Sequence, residues 1–148
     1  MSKAAELAAL IVDINTTEAK TDELTGKSTA GSIAVTAEGN STTTNLQQGL
    51  CKVWVHYNGD SSHAVQDSFN VTSVTDGGTG RGTVSIANDM ANDDYSLQYT
   101  DSCPDSPAIN GLYIHTFQTG AYSLASVNNS GGYTDGTNVC SAVFGDLA

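Results

Sequence analysis

Three histidines, His56, His63 and His115, are the side chains in this sequence best suited to act as a general base near neutral pH. None stands in a setting that would make it one. There is no nucleophile elbow, no pair of histidines at helical spacing, and no Cys-His signature around Cys51, Cys103 or Cys140. Carboxylates are grouped at Asp93-Asp94, Asp101 and Asp105. Glycoside hydrolysis would need two of them facing each other across a cleft, which spacing alone does not provide. Asp89, Asn92, Asp93 and Asp94 crowd one turn with oxygen ligands of the kind calcium takes, but without EF-hand spacing. Gly26-Lys27-Ser28 has the ending of a phosphate-binding loop, yet Thr21 stands where its first glycine belongs. Gly77-Gly78-Thr79-Gly80-Arg81-Gly82 is followed by a strand pattern, so it reads as a hairpin turn and not as a dinucleotide loop. The expectation is a chain with no catalytic residue, no cofactor and no metal: not an enzyme.

Composition narrows the partners. The chain has 148 residues, with 16 Asp plus Glu against 5 Lys plus Arg and a net charge of -11. Nucleic-acid binding needs cationic side chains to neutralise phosphates, and Lys3, Lys20, Lys27, Lys52 and Arg81 are scattered. An anionic membrane would repel the same surface. No run approaches the roughly 20 apolar residues needed to cross a bilayer, so no membrane insertion is expected. The apolar run at the N-terminus is short, interrupted by Lys3 and Glu6, and lacks a cleavage signature, which argues against a signal peptide. Cys51, Cys103 and Cys140 are an odd set without zinc-site spacing, so free thiols made in a reducing cytoplasm are expected.

These groups must be carried by two unlike segments. Residues 1–26 read as a helical anchoring or oligomerisation segment: Ser2 can cap, and Ala4, Leu7, Ile11 and Ile14 fall at the three- and four-residue steps of a coiled-coil seam. The seam fails at Glu18 and Thr21, and Gly26 can stop a helix. Under two heptads is too short to stand alone in water, so this helix needs a partner: its own β-domain, further copies of itself or another protein. Ile at both later seam positions favours three copies over two. From Lys27 to Ala148 the pattern is β throughout, with strands expected at 31–38, 47–57, 67–75, 82–88, 94–100, 111–118, 121–128 and 137–144. Residues 39–46 read as an exposed loop. Strands of even spacing separated by Gly-rich turns indicate a mainly β fold, an antiparallel, jelly-roll-like sandwich preceded by the short N-terminal helix.

Alternation assigns the faces. Cys51, Val53, Val55 and Tyr57 share an inward face, as do Phe69 with Val71, Val84 with Ile86, and Tyr95 with Leu97 and Tyr99. Lys52, Trp54 and His56 then point the other way. An indole left in water is unfavourable by a few kcal/mol, about the value of burying it. Trp54, with His56 beside it, is therefore either covered by a loop of its own chain or a subunit or partner contact.

The segment from Gly49 to Gly59, with Lys52-Val53-Trp54-Val55 ending in Asn58-Gly59, leads to Ser68-Phe69-Asn70-Val71 and a Gly-rich turn. It resembles a segment recurrent in the distal β-domains of tailed-phage tail-fibre-like proteins, especially marine and cyanophage types. The similarity covers roughly residues 46–100, and Val143-Phe144-Gly145-Asp146 resembles the way such modules close. The resemblance implies a non-enzymatic virion structural protein made in the host cytoplasm: a tail-fibre or spike-like head, usually trimeric, that touches a host surface glycan or protein. A capsid decoration or head-fibre protein is the alternative, and other virion proteins, of tail or capsid, are the implied partners.

Overall fold

The computed structural model describes Leu24 and residues 33–36, 38–39, 41–60, 62–102 and 109–148. The chain divides into two units after Ser32. Of the first, Leu24 alone is described, and it is exposed. The expected N-terminal helix and its seam of Ala4, Leu7, Ile11 and Ile14 lie outside the described residues, as do Cys103 and Asp105.

In the second unit the two-residue alternation has built ten strands: β1 (Ala34–Thr36), β2 (Thr43–Asn45), β3 (Cys51–Tyr57), β4 (Val65–Phe69), β5 (Val71–Asp76), β6 (Arg81–Ile86), β7 (Ser96–Ser102), β8 (Ile109–Gln118), β9 (Ala121–Asn128) and β10 (Asn138–Phe144). One helical turn, α1 (Leu46–Gly49), precedes β3. Every pairing is antiparallel. Strands β4-β3-β10-β7 form one four-stranded sheet and β5-β6-β9-β8 a second, while β1 and β2 make a ribbon of their own. The fold is mainly β and sandwich-like, as the alternation indicates.

The inward faces of the two sheets supply the core. Val53, Val55 and Tyr57 of β3 and Val139 and Val143 of β10 meet Val84 and Ile86 of β6 and Tyr122 and Leu124 of β9, with Met90, Tyr95 and Leu97 completing the cluster. Each such aliphatic side chain contributes about 1.5–3 kcal/mol on burial. Cys51 and Cys140 carry free thiols, and burial pushes the Cys140 thiol up.

Three expectations about local structure need correction, each for a polar reason. Residues 47–57 are not one strand. The Asn45 side chain accepts from the N–H groups of Gln47 at 2.8 Å and Gln48 at 3.2 Å, which starts a helical turn. Lys52 closes its other end, with Nζ donating to the carbonyls of Gln47 and, at 2.9 Å, Leu50. That duty buries Lys52 at 8% exposure, although alternation puts it on the solvent side. Residues 39–46 are not all loop, since Thr43–Asn45 pairs with Ala34–Thr36.

The third correction matters most. Residues 67–75 are two strands in different sheets, separated by Asn70 at φ 58. A left-handed residue costs roughly 1–2 kcal/mol for most side chains and less for Asn, which bonds locally. Here the Asn70 amide donates to the carbonyls of Lys52 and Asn88, both at 3.1 Å. The chain thus crosses between sheets at a residue tied to both neighbours. The crossing also ends the alternation: Phe69, expected inward, faces outward at 53% exposure, while Val71 is half-buried against the core.

Candidate functional site

The histidines do not come together. His56 lies on the outward face of β3 and His115 on β8 of the other sheet. His63 is buried at 4% exposure. The turn that carries it is closed by His63 N–H donating to the Asp60 carbonyl at 3.0 Å and Asn58 N–H to Ala64 at 2.9 Å, and it folds the ring onto Tyr57 with centroids 5.6 Å apart. Asp93 and Asp94 stay in an exposed turn where the Asn92 side chain accepts from the Asp94 N–H at 3.0 Å. Among the described residues, no three His, Cys, Asp or Glu side chains converge as a metal site.

Chemistry-bearing groups gather instead between the sheets. The hydroxyl of Ser126 on β9 donates to Asp101 Oδ2 and shares a hydrogen bond with the Tyr99 hydroxyl. Asp101 Oδ1 and His63 Nδ1 are buried without a hydrogen-bond partner, and His63 Nδ1 lies 3.8 Å from the Asp76 carboxylate. Burial raises the Asp101 pKa; the bonds from Ser126, the Ser102 N–H and Tyr99 oppose that rise, and the nearby charge of Asp135 adds to it. Burial also pushes Tyr99 up to about 12 despite its bond to Ser126, and Tyr57 rises for the same reason. At neutral pH these phenols keep their protons. The cavity among Tyr57, His63, Tyr99, Asp101 and Ser126 measures about 10 Å³, the scale of a single water. The Tyr99–Ser126 and Ser126–Asp101 bonds tie the two sheets together around this space.

The outward faces are more open. On the first sheet Trp54 stands directly across from Phe69 of β4 on one side and Ala142 of β10 on the other. Trp54 keeps 36% of its surface and Phe69 53%, so no described segment covers the pair. In the next row His56 is flanked by Asp67 and Cys140, and its Nε2 lies 3.3 Å from Asn138 Oδ1. Past Ala142 a depression of about 320 Å³ runs along Gln98, Thr100 and Cys140. The result is an open, aromatic-centred surface.

On the second sheet, β8 slips register between Ile114 and Thr116. The extra residue is His115, and it lines an outward groove of about 420 Å³ together with Tyr113 and Tyr133. Tyr133 arrives from the turn after β9, bridged to Val127. Its ring lies 5.0 Å from the Arg81 guanidinium and its hydroxyl 3.2 Å from His115 Nε2.

Of the expected contact residues, Trp54 and His56 share one face as alternation required. Phe69 was missed, and the signal for it was Asn70, a residue type that tolerates the left-handed conformation in the middle of an apparent strand. The Tyr113–His115–Tyr133 group was also missed, because Tyr133 lies outside any strand pattern and a bulge leaves no mark in the alternation. No family model matches the chain, and neither does any curated protein or solved structure.

Proposed function

We propose that the chain is a non-catalytic virion structural protein whose β-domain is a tail-fibre or spike-like head contacting the host surface or a neighbouring virion component. The exposed Trp54–Phe69 pair in the first sheet is the observation that carries this reading. An exposed aromatic pair on the outer face of a sheet fits recognition by contact area and repetition of copies. The segment that resembles phage fibre proteins, residues 46–100, spans β3 to β7 and contains this face. In this reading residues 1–26 anchor or oligomerise the head through Ala4, Leu7, Ile11 and Ile14.

Quantitative mass spectrometry of purified particles tests the proposal. Copies numbering from a few to tens per particle support a tail position. A count in the hundreds moves the protein to the shell, as a capsid decoration or head-fibre component. Absence from washed particles defeats both. Particles carrying Trp54→Ala should assemble and lose host adsorption if the face meets the host. If the face meets another virion protein, they should lack the protein.

A further inference from the structure

We infer that the free edge of β8 is a self-association surface, occupied by β8 of a second copy across a two-fold axis. β8 is ten residues long and ends its sheet, so its outer backbone groups are unpaired among the described residues. Such an edge is a template for another strand unless something guards it. The other three edges of the two four-stranded sheets each carry a carboxylate: Asp67 on β4, Asp76 on β5 and the inward-turned Asp101 on β7. Of these four edge strands, β8 alone has no Asp, Glu, Lys, Arg or Pro, from Ile109 to Gln118. It also presents large apolar groups on both faces, with Leu112 at 41%, Tyr113 at 56%, Ile114 at 36% and Phe117 at 38% exposure.

Charge selects the occupant. Two copies of a chain with net charge -11 repel each other over most of their surface, and a neutral edge is where they can approach. Symmetry makes the edge self-complementary, because an antiparallel pair about a two-fold axis brings the same patch from both sides. Between its two register shifts β8 runs regularly from Gly111 to Ile114. An axis at Tyr113 places Leu112 of each copy beside Ile114 of the other, an apolar cross-strand pair on the inward side, with the two Tyr113 rings meeting outside. The second sheet then continues across the axis as eight strands. This contact is independent of the N-terminal seam and of where the protein resides.

Sedimentation velocity and amide hydrogen exchange on the full chain, over a concentration series, test it. Association in units of two chains is expected, with exchange at residues 112–118 slowing as the protein associates. Ile114→Lys or Tyr113→Glu should weaken the association about tenfold or more: the first sets a charge against Leu112 of the other copy, and the second sets like charges opposite each other on the axis. Tyr113 lies on the outward face, so its variant reports even if Ile114→Lys fails to fold. Three results overturn the inference: a monomer at every concentration, slow exchange in β8 that does not depend on concentration, or association that neither variant alters.

Discussion

The side-chain carbonyl of Asn70 accepts two hydrogen bonds from Asn88, one from the backbone N–H at 2.8 Å and one from the amide at 2.9 Å. The backbone carbonyl of Asn70 takes the Ala87 N–H at 3.1 Å as well. The loop after β6 is thereby fastened to the point where the chain leaves one sheet for the other. Asn70→Ala should cost about 1–3 kcal/mol, combining left-handed strain with the loss of one part-buried and three exposed hydrogen bonds. Asn70→Gly relieves the strain alone and should recover part of that loss. Urea denaturation of the three proteins measures the series; equal stabilities would mean that the crossing does not depend on this side chain.

Trp54→Ala should behave differently. The ring is more than one-third exposed, so the isolated domain should lose only about 1–2 kcal/mol and keep its fold. Because Trp54 is the chain's only tryptophan, its emission reports this face directly. Acrylamide should quench it readily in the free protein and much less in the assembled particle. Strong quenching in both states would remove Trp54 from any interface.

Asp101 gives the stability a pH dependence of known sign. Burial holds its carboxyl above the ordinary value of 3.8, so the folded chain binds this proton more tightly than the unfolded chain does. This contribution to stability therefore falls as pH rises from 3.8 through the folded value, and is constant beyond it. Asp101→Asn keeps the shape and cannot ionise, so its stability relative to wild type should rise across the same window. Thermal melts from acid to neutral pH test this. A variant that loses ground as pH rises would show the ionised carboxylate to be a net stabiliser.

Gly136 and Gly131 separate space from backbone conformation. A Cβ at Gly136 would overlap the Asp101 carboxylate, whereas one at Gly131 meets nothing within 4 Å but sits at φ +78. Gly136→Ala should cost more than about 3 kcal/mol, and Gly131→Ala about 1–2 kcal/mol. Pairing Gly136→Ala with Asp101→Gly should restore part of the loss. Failure of that rescue in a denaturant titration would place the clash elsewhere.

The inward rows Val53-Val55-Tyr57 and Val84-Ile86 were legible because alternation reads directly onto a pleated strand buried on one face. What broke that reading was side-chain hydrogen bonding that competes with strand geometry. Asn45 and Lys52 wind the start of an apparent strand into a helical turn, and Asn70 splits another. The contact face around Trp54 was half legible, since Phe69 joins it only through the turn at Asn70. Tyr113, His115 and Tyr133 were not legible as a group, because a bulge and a return turn bring them together.

The position of β10 decides when the fold can exist. It is the last of the ten strands, yet it lies between β3 and β7, with Val139 opposite both Tyr57 and Asp101. Emerging from a ribosome, β3 meets β4 early but must wait for about eighty further residues before its second neighbour, β10, arrives, on the order of ten seconds at ordinary synthesis rates. During that interval β3 can pair only with β4, so Val53, Val55 and Tyr57 on one face and Trp54 on the other sit on an unfinished sheet. The arrival of β10 therefore times the completion of the first sheet, and the nascent domain is most exposed to sticking and proteolysis until that strand is made.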